Sequence, residues 1–156
     1  MLNFVQTNIL EMLEMYGEDT CQSILSSFHC PLNHDVENFL HTKAISFAKQ
    51  HLAMTFLVFI DQNNQLLLVG YYTLANKSLS LSNSMLSKTI QKKLLKFAQF
   101  ESDSKQYFVP IPLIAQLGKN DAYSEFISGE QLLTIACNRV RNQENPVVFA
   151  RPDFLF

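Results

Sequence analysis

Ser128, Gly129, Glu130 and Gln131 are the residues whose types and order promise chemistry. They follow an apolar run, Tyr107 to Leu117, and a polar stretch, Gly118 to Ile127, and they open a helical pattern that continues to about Asn142. A buried strand feeding through a loop into a helix N-terminus is suited to holding an anion. The first-turn N–H groups have no intrahelical partners, and the macrodipole places partial positive charge on them. Ser128 is of the type that caps such a helix, and Gly129 behind it keeps the backbone open to close approach. The chemistry expected is the holding of a phosphate-bearing cofactor. The competing expectation is that Ser-Gly merely starts a helix.

The other reactive types point to less. Cys21, Cys30 and Cys137 share no metal-ligand spacing and are odd in number, so they read as reduced, mostly buried thiols. His29, His34, His41 and His51 form no His-x-x-x-His pair and have no carboxylate motif beside them, so no metal site is expected. Lys88, Lys92, Lys93 and Lys96 fall on one helical pattern, either as its wet face or as a surface for RNA or an acidic partner.

The elements that must position these residues follow from periodicity and composition. The 156 residues are 47% apolar, with 13 Phe and no Trp, enough for one domain with a phenylalanine-rich core. A formal charge of −2 provides no global basic field, which argues against duplex DNA as a partner. The start lacks a signal-peptide pattern, and no stretch approaches the roughly 20 apolar residues of a membrane span. A cytoplasmic protein is expected. The first 50 residues read as helical: one helix around Leu10, Leu13 and Met15 stopping near Gly17, a second capped by Asp19, and a third from about Asp35 to Ala48. Residues 53–150 read as sheet and cofactor-binding core. Thr55–Ile60 is a buried strand, Asp61–Asn64 a turn, and Gln65–Ala75 the returning strand. Gly70 marks a bulge or a close approach, and Tyr71 and Tyr72 point to opposite faces. Ser87 caps a helix reaching toward Phe100, Glu101–Ser104 connects it to the strand at Tyr107, and Val147–Ala150 forms a last short strand.

A resemblance joins these pieces. Leu113-Ile114-Ala115-Gln116-Leu117-Gly118-Lys119-Asn120, followed by Gly129 with Leu132-Leu133, resembles the GNAT family of acyl-CoA-dependent N-acetyltransferases. The similarity is strongest to the branch holding acetyltransferase toxins of bacterial toxin–antitoxin pairs. Val69-Gly70-Tyr71-Tyr72-Thr73-Leu74-Ala75 resembles a strand of that branch, and the resemblance spans roughly residues 35 to 149. It implies an α+β fold, an α/β/α sandwich with a mixed, mostly antiparallel central sheet flanked by helices. It also implies acetyl-CoA as cosubstrate and an amine-bearing acceptor: small molecule, protein or aminoacyl-tRNA. Carried over residue by residue, Ala115, Leu117, Gly118 and Lys119 would offer backbone amides to the pantetheine and thioester. Ile127, Ser128, Gly129, Glu130 and Gln131 would hold the diphosphate. In an ungapped match Gly129 is the last glycine of the family signature, an earlier glycine falls on Ile127, and a Gln/Arg position falls on Ser124. Ile127 is therefore expected to narrow the approach.

The family pattern continues past the strand at 147–150 with a helix bearing an acidic tyrosine and a closing hairpin. Here the sequence stops at Phe156, so a C-terminally shortened fold is expected, with no catalytic residue assignable and activity open to impairment. The exposed edge at 147–150 and the terminal Phe154-Leu155-Phe156 imply self-association there. Three functions follow from the resemblance: an N-acetyltransferase, a non-catalytic acyl-CoA-binding or interaction remnant, and a toxin acting on charged tRNA with a small antitoxin as partner.

Overall fold

In the computed structural model, residues 3–142 are described. They fall into two compact units, one built from the chain up to Ala75 together with the stretch from Ile114 onward, the other from Asn76–Leu113. Five strands, β1 (Phe4–Asn8), β2 (Met54–Gln62), β3 (Gln65–Ser82), β4 (Gln99–Glu101) and β5 (Gln106–Lys119), are hydrogen-bonded in the order β1-β2-β3-β5-β4. The pairings of β1 with β2, of β2 with β3 and of β4 with β5 are antiparallel.

In the first unit, β2 alternates strictly. Leu57 and Phe59 pack on the helices α1 (Ile9–Tyr16), α2 (Glu18–Ser26), α3 (His34–Thr42) and α4 (Ala44–Lys49), in a cluster with Leu25, Phe28, Leu40 and Tyr71. Phe56, Val58 and Ile60 face the other way, against Ile127 and against Leu132 and Ala136 of α6 (Gly129–Asn142). Helices on both faces of one sheet make the expected sandwich. The β2–β3 turn is Asn63-Asn64 with φ of 54° and 63°. Positive φ at both central residues matches the twist of a hairpin and is tolerated by Asn.

The bulge anticipated at Gly70 is present. Val58 pairs with Gly70 but Phe59 pairs with Leu68, so Val69 is an extra residue on β3. It shifts the two-residue phase, placing Tyr71 on the α1–α4 face and Tyr72 on the α6 face, both fully buried. Tyr71 Oη donates to Val36 O at 2.6 Å, and Tyr72 Oη donates to Gln6 Oε1 at 2.6 Å.

The N-terminal expectations need four corrections. Residues 4–8 form a strand, β1, antiparallel to β2, although the first 50 residues read as helical. On α1, Ile9 and Met12 are the buried residues, Leu10 and Leu13 pack partly on the same core as expected, and Met15 is exposed. Gly17 (φ 79°) ends α1 as expected, but it, and not Asp19, is also the N-cap of α2. The single helix expected over 35–48 is two, broken at Lys43, with Asn33 capping the first by accepting from Val36 N.

In the second unit, β3 runs on to Ser82, past the Ala75 expected, and α5 (Lys88–Leu94) is shorter than expected. Ser87 caps α5 as anticipated, accepting from Ile90 N at 3.3 Å. The connector expected over Glu101–Ser104 is a tight turn at residues 102–105, since Gln99–Glu101 pairs antiparallel with Gln106–Phe108. Leu94, Tyr107 and Val109 form this unit's small core. The strand expected at 147–150 and the self-associating edge lie outside the described residues. Among the described residues, no helix is long and apolar enough to cross a membrane.

Candidate functional site

α6 begins with a reciprocal cap. Ser128 Oγ accepts from Gln131 N at 3.1 Å, and Gln131 Oε1 accepts from Ser128 N at 2.9 Å. This capping box satisfies two of the orphan donors at the helix start. Leu132 N is taken by Ser128 O at 3.1 Å. The amides of Gly129 and Glu130 have no hydrogen-bond partner among the described residues. A Cβ built on Gly129 would meet nothing within 4 Å, so the helix start is open to approach from that side. A groove of about 290 Å³ lined by Phe4, Ser128, Glu130, Gln131, Thr134 and Ile135 runs beside it. Gln131 and Ser128 spend their side chains on the cap, leaving Gly129 and Glu130 to offer backbone donors.

Ile127 does not narrow this approach. Its side chain is 2% exposed and belongs to the core under α6. The site expectation that it would crowd the loop is corrected: the apolar side chain is turned inward by the burial it gains.

The second half of the expected site is the end of β5. Ala115 is exposed, Leu117 and Lys119 are half-buried and Gly118 is buried. β4 pairs with β5 only at Gln106–Phe108, so among the described residues no strand covers the outer edge of Ile114–Lys119. That edge can give its amides to a ligand. The reason for glycine at 118 is different, since a Cβ there would sit 2.4 Å from Val36 Cγ1, 2.9 Å from Tyr71 Cε1 and 3.0 Å from Phe28 Cζ. The space is filled by core, not kept for a ligand. Lys119 Nζ donates to Ser124 O at 3.4 Å, across the loop.

Asn120, which the sequence offered only as the end of the matching run, anchors the loop. It is fully buried. Its Nδ2 donates to Leu68 O at 2.8 Å, and its Oδ1 accepts from His29 N and Ala122 N, each at 3.2 Å. Its own N–H donates to Val69 O at 2.9 Å, the carbonyl of the bulged residue, and Asp121 N donates to His29 O at 2.7 Å. The loop from Asn120 to Ser128 is thereby anchored to β3 and to the α2–α3 connection. A buried asparagine with this many partners positions a loop; its signal in the sequence is an Asn-Asp pair at a strand end, which reads as an ordinary turn.

Two further groups border these elements. Tyr72, Gln6 and Arg139 form a part-buried polar contact between β3, β1 and α6: Arg139 Nε donates to Tyr72 Oη at 3.3 Å, and its guanidinium lies 4.7 Å from the Phe56 ring. Burial pushes the Tyr72 hydroxyl above its ordinary value, opposed by Arg139. His29 has an exposed ring with Nδ1 4.0 Å from Glu37 Oε2. The Glu37 carboxyl is held below its usual value, chiefly by accepting from Cys30 N at 2.7 Å. His41 Nε2 contacts Phe28 O at 2.9 Å, a structural role. Among the described residues no group of His, Cys, Asp and Glu is placed to hold a metal.

No protein-family profile matches the chain, and no curated protein matches it. Solved structures do. A tyrosine-to-phenylalanine mutant of KacT matches with a TM-score of 0.55 at 19% identity, over 88% of this chain and 68% of that one. AtaT complexed with acetyl-methionyl-tRNAfMet matches with a TM-score of 0.53 at 17% identity, over 87% of this chain and 66% of that one. The fold is GNAT-like. The chain spans about two thirds of the length of these neighbours.

Proposed function

We propose that the protein is an acetyl-CoA-dependent N-acetyltransferase whose acceptor is an amine. The observation that carries this reading is the start of α6. In a GNAT-like fold, at the position the resemblance assigns to the diphosphate, two amides are unclaimed among the described residues and a Cβ on Gly129 would meet none of them within 4 Å. The residues fit the group: the free amides of Gly129 and Glu130 would hold the diphosphate, and the open edge at Ala115–Lys119 would hold the pantetheine arm. Acetyl-CoA supplies the activated acyl group. The backbone donors of the β5 edge polarise the carbonyl under attack, where negative charge develops. They are fixed in place by Asn120 and by the packing around Gly118, so they need little reorganisation. The attacking amine must be neutral, and its proton must pass to a base or to water.

An aminoacyl-tRNA is the acceptor we favour, because a neighbour of the same fold is complexed with acetyl-methionyl-tRNAfMet. A cytoplasmic toxin role with a small antitoxin belongs to this reading; growth arrest on expression, relieved by a neighbouring small gene, would support it.

Calorimetry of acetyl-CoA with the 156-residue chain is the test. We expect micromolar binding that Gly129→Arg abolishes and Gly129→Ala retains. Absence of binding, or equal binding by Gly129→Arg, overturns the cofactor site. Labelled acetyl-CoA offered with charged and uncharged tRNA then decides the acceptor. Label must enter only the charged tRNA.

A further inference from the structure

The unit formed by Asn76–Leu113 differs in charge from everything around it in sequence. It holds six lysines, no arginine and two acidic residues, a formal +4; the whole chain is −2, which leaves −6 on the rest. Such an asymmetry directs a polyanion to one part of a molecule whose net charge would otherwise repel it.

The lysines are concentrated further. Lys88, Lys92, Lys93 and Lys96, with Thr89, line one open groove of about 400 Å³ along α5 and the turn after it. All four are exposed. None of them is in an ion pair among the described residues, where the pairs are His29–Glu37 and Lys49–Glu18. The unit's two carboxylates, Glu101 and Asp103, lie in or beside the β4–β5 turn, where Glu101 accepts from Ser104. Like charges one helical turn apart repel, so the arrangement costs stability that no ion pair among the described residues returns.

Nor is α5 an ordinary amphipathic helix. Only Leu94 is buried, while Ile90, Leu95 and Phe97 are 47%, 59% and 58% exposed. Phe97 adjoins Lys96 and makes no ring contact among the described residues, unlike Phe100, which packs on Tyr107 at 4.7 Å. Exposed aromatic and apolar side chains among unpaired lysines are what single-stranded nucleic acid uses, bases on the apolar faces and phosphates on the cations. Lysine is a point charge suited to phosphate. The bidentate fork for carboxylates belongs to arginine, and this unit has none.

The geometry points to the α5 groove as a docking surface for RNA, with Lys88, Lys92, Lys93 and Lys96 on the phosphate backbone and Phe97 as a platform for an unpaired base. This rests on the reading that the acceptor amine is carried by RNA, and it assigns the binding of that RNA to a unit separate in sequence from the cofactor residues.

The test is equilibrium binding of uncharged tRNA to the full chain across a salt series. Lys92→Ala/Lys93→Ala should lower the slope of log affinity against log salt by about 0.7 per lysine and weaken binding roughly 10- to 30-fold near 0.1 M salt. Phe97→Ala should weaken a single-stranded oligonucleotide roughly 5- to 100-fold, the usual worth of one stacked base, with the salt slope unchanged. Acetyl-CoA binding by each variant is the check on folding and should not change. Unaltered tRNA affinity and slope in the double lysine variant would overturn the inference while leaving the acetyltransferase reading intact. Polyglutamate competing as well as RNA at equal charge would also overturn it, in favour of an acidic protein partner. Lysine-dependent tRNA binding by a chain that binds no acetyl-CoA would uphold the inference and sink the transferase reading instead.

Discussion

A methyl group placed on Gly118 tests the packing that holds the end of β5. The new Cβ would lie 2.4 Å from Val36 Cγ1, with Tyr71 Cε1 and Phe28 Cζ at 2.9 and 3.0 Å. None of these can give way cheaply. Val36 is β-branched and buried, Tyr71 is pinned through its hydroxyl to Val36 O, and Phe28 meets the Tyr71 ring edge-on at 5.1 Å between centroids. Overpacking of this kind costs about 1–3 kcal/mol, and three simultaneous overlaps put Gly118→Ala at the upper end. The narrower unfolded ensemble of alanine returns about 0.4–1 kcal/mol. A net loss of about 2 kcal/mol should lower the melting temperature by roughly 4–8 °C in a chain of this size. Urea unfolding followed by circular dichroism should show a lower midpoint with an unchanged slope. Val36→Ala removes the worst overlap, so the double variant should be less destabilised than the two single losses combined. A Gly118→Ala protein as stable as the native one, or strict additivity with Val36→Ala, would refute the reasoning. Gly129→Ala, with open space around it, is the matched control and should be near neutral.

Other consequences are as specific. Asn120→Ala strands Leu68 O and His29 N, and at about 1–3 kcal/mol per buried orphan it should cost at least 2 kcal/mol and speed amide exchange at residues 28–30 and 120–128. Ser128→Ala should cost about 1 kcal/mol, and Gln131→Ala added to it should cost less than it does alone, because the cap is reciprocal. Burial raises the hydroxyls of Tyr71 and Tyr72 above the ordinary 10.0, so the unfolded chain ionises first. The stability this represents is complete below pH 10 and lost as pH rises above it toward the folded values; Tyr71→Phe should flatten that decline, read by urea midpoints from pH 8 to 11. Loss of acetyl-CoA binding in Gly129→Arg completes the set.

Local signals carried much of the fold. The β2–β3 hairpin was legible because Asn63-Asn64 interrupts two runs of β-forming residues, and the start of α6 because Ser128-Gly129 precedes a helical period. β1 was not, since Phe4–Asn8 is short and Asn8 at once caps α1, accepting from Glu11 N at 2.8 Å. The break at Lys43 has no glycine or proline to announce it. At the site, the order Ser128 to Gln131 foretold the open amides, while the direction of Ile127 depended on a core assembled from distant strands. Asn120 was illegible for the same reason: its partners Leu68 and His29 lie 52 and 91 residues away.

The bulge at Val69 bears on how this chain can change in length. Tyr71 and Tyr72 are adjacent, yet each hydroxyl has its own partner on its own side of the sheet, Val36 O and Gln6 Oε1. Inserting or deleting one residue between Leu66 and Leu74 would exchange the two rings, and each would arrive on a face with no acceptor placed for it. The tip at Asn63-Asn64 carries no such obligation and can lengthen freely. Length variation among relatives of this chain should therefore gather at that tip, while the segment around the bulge keeps its residue count even where its residues differ.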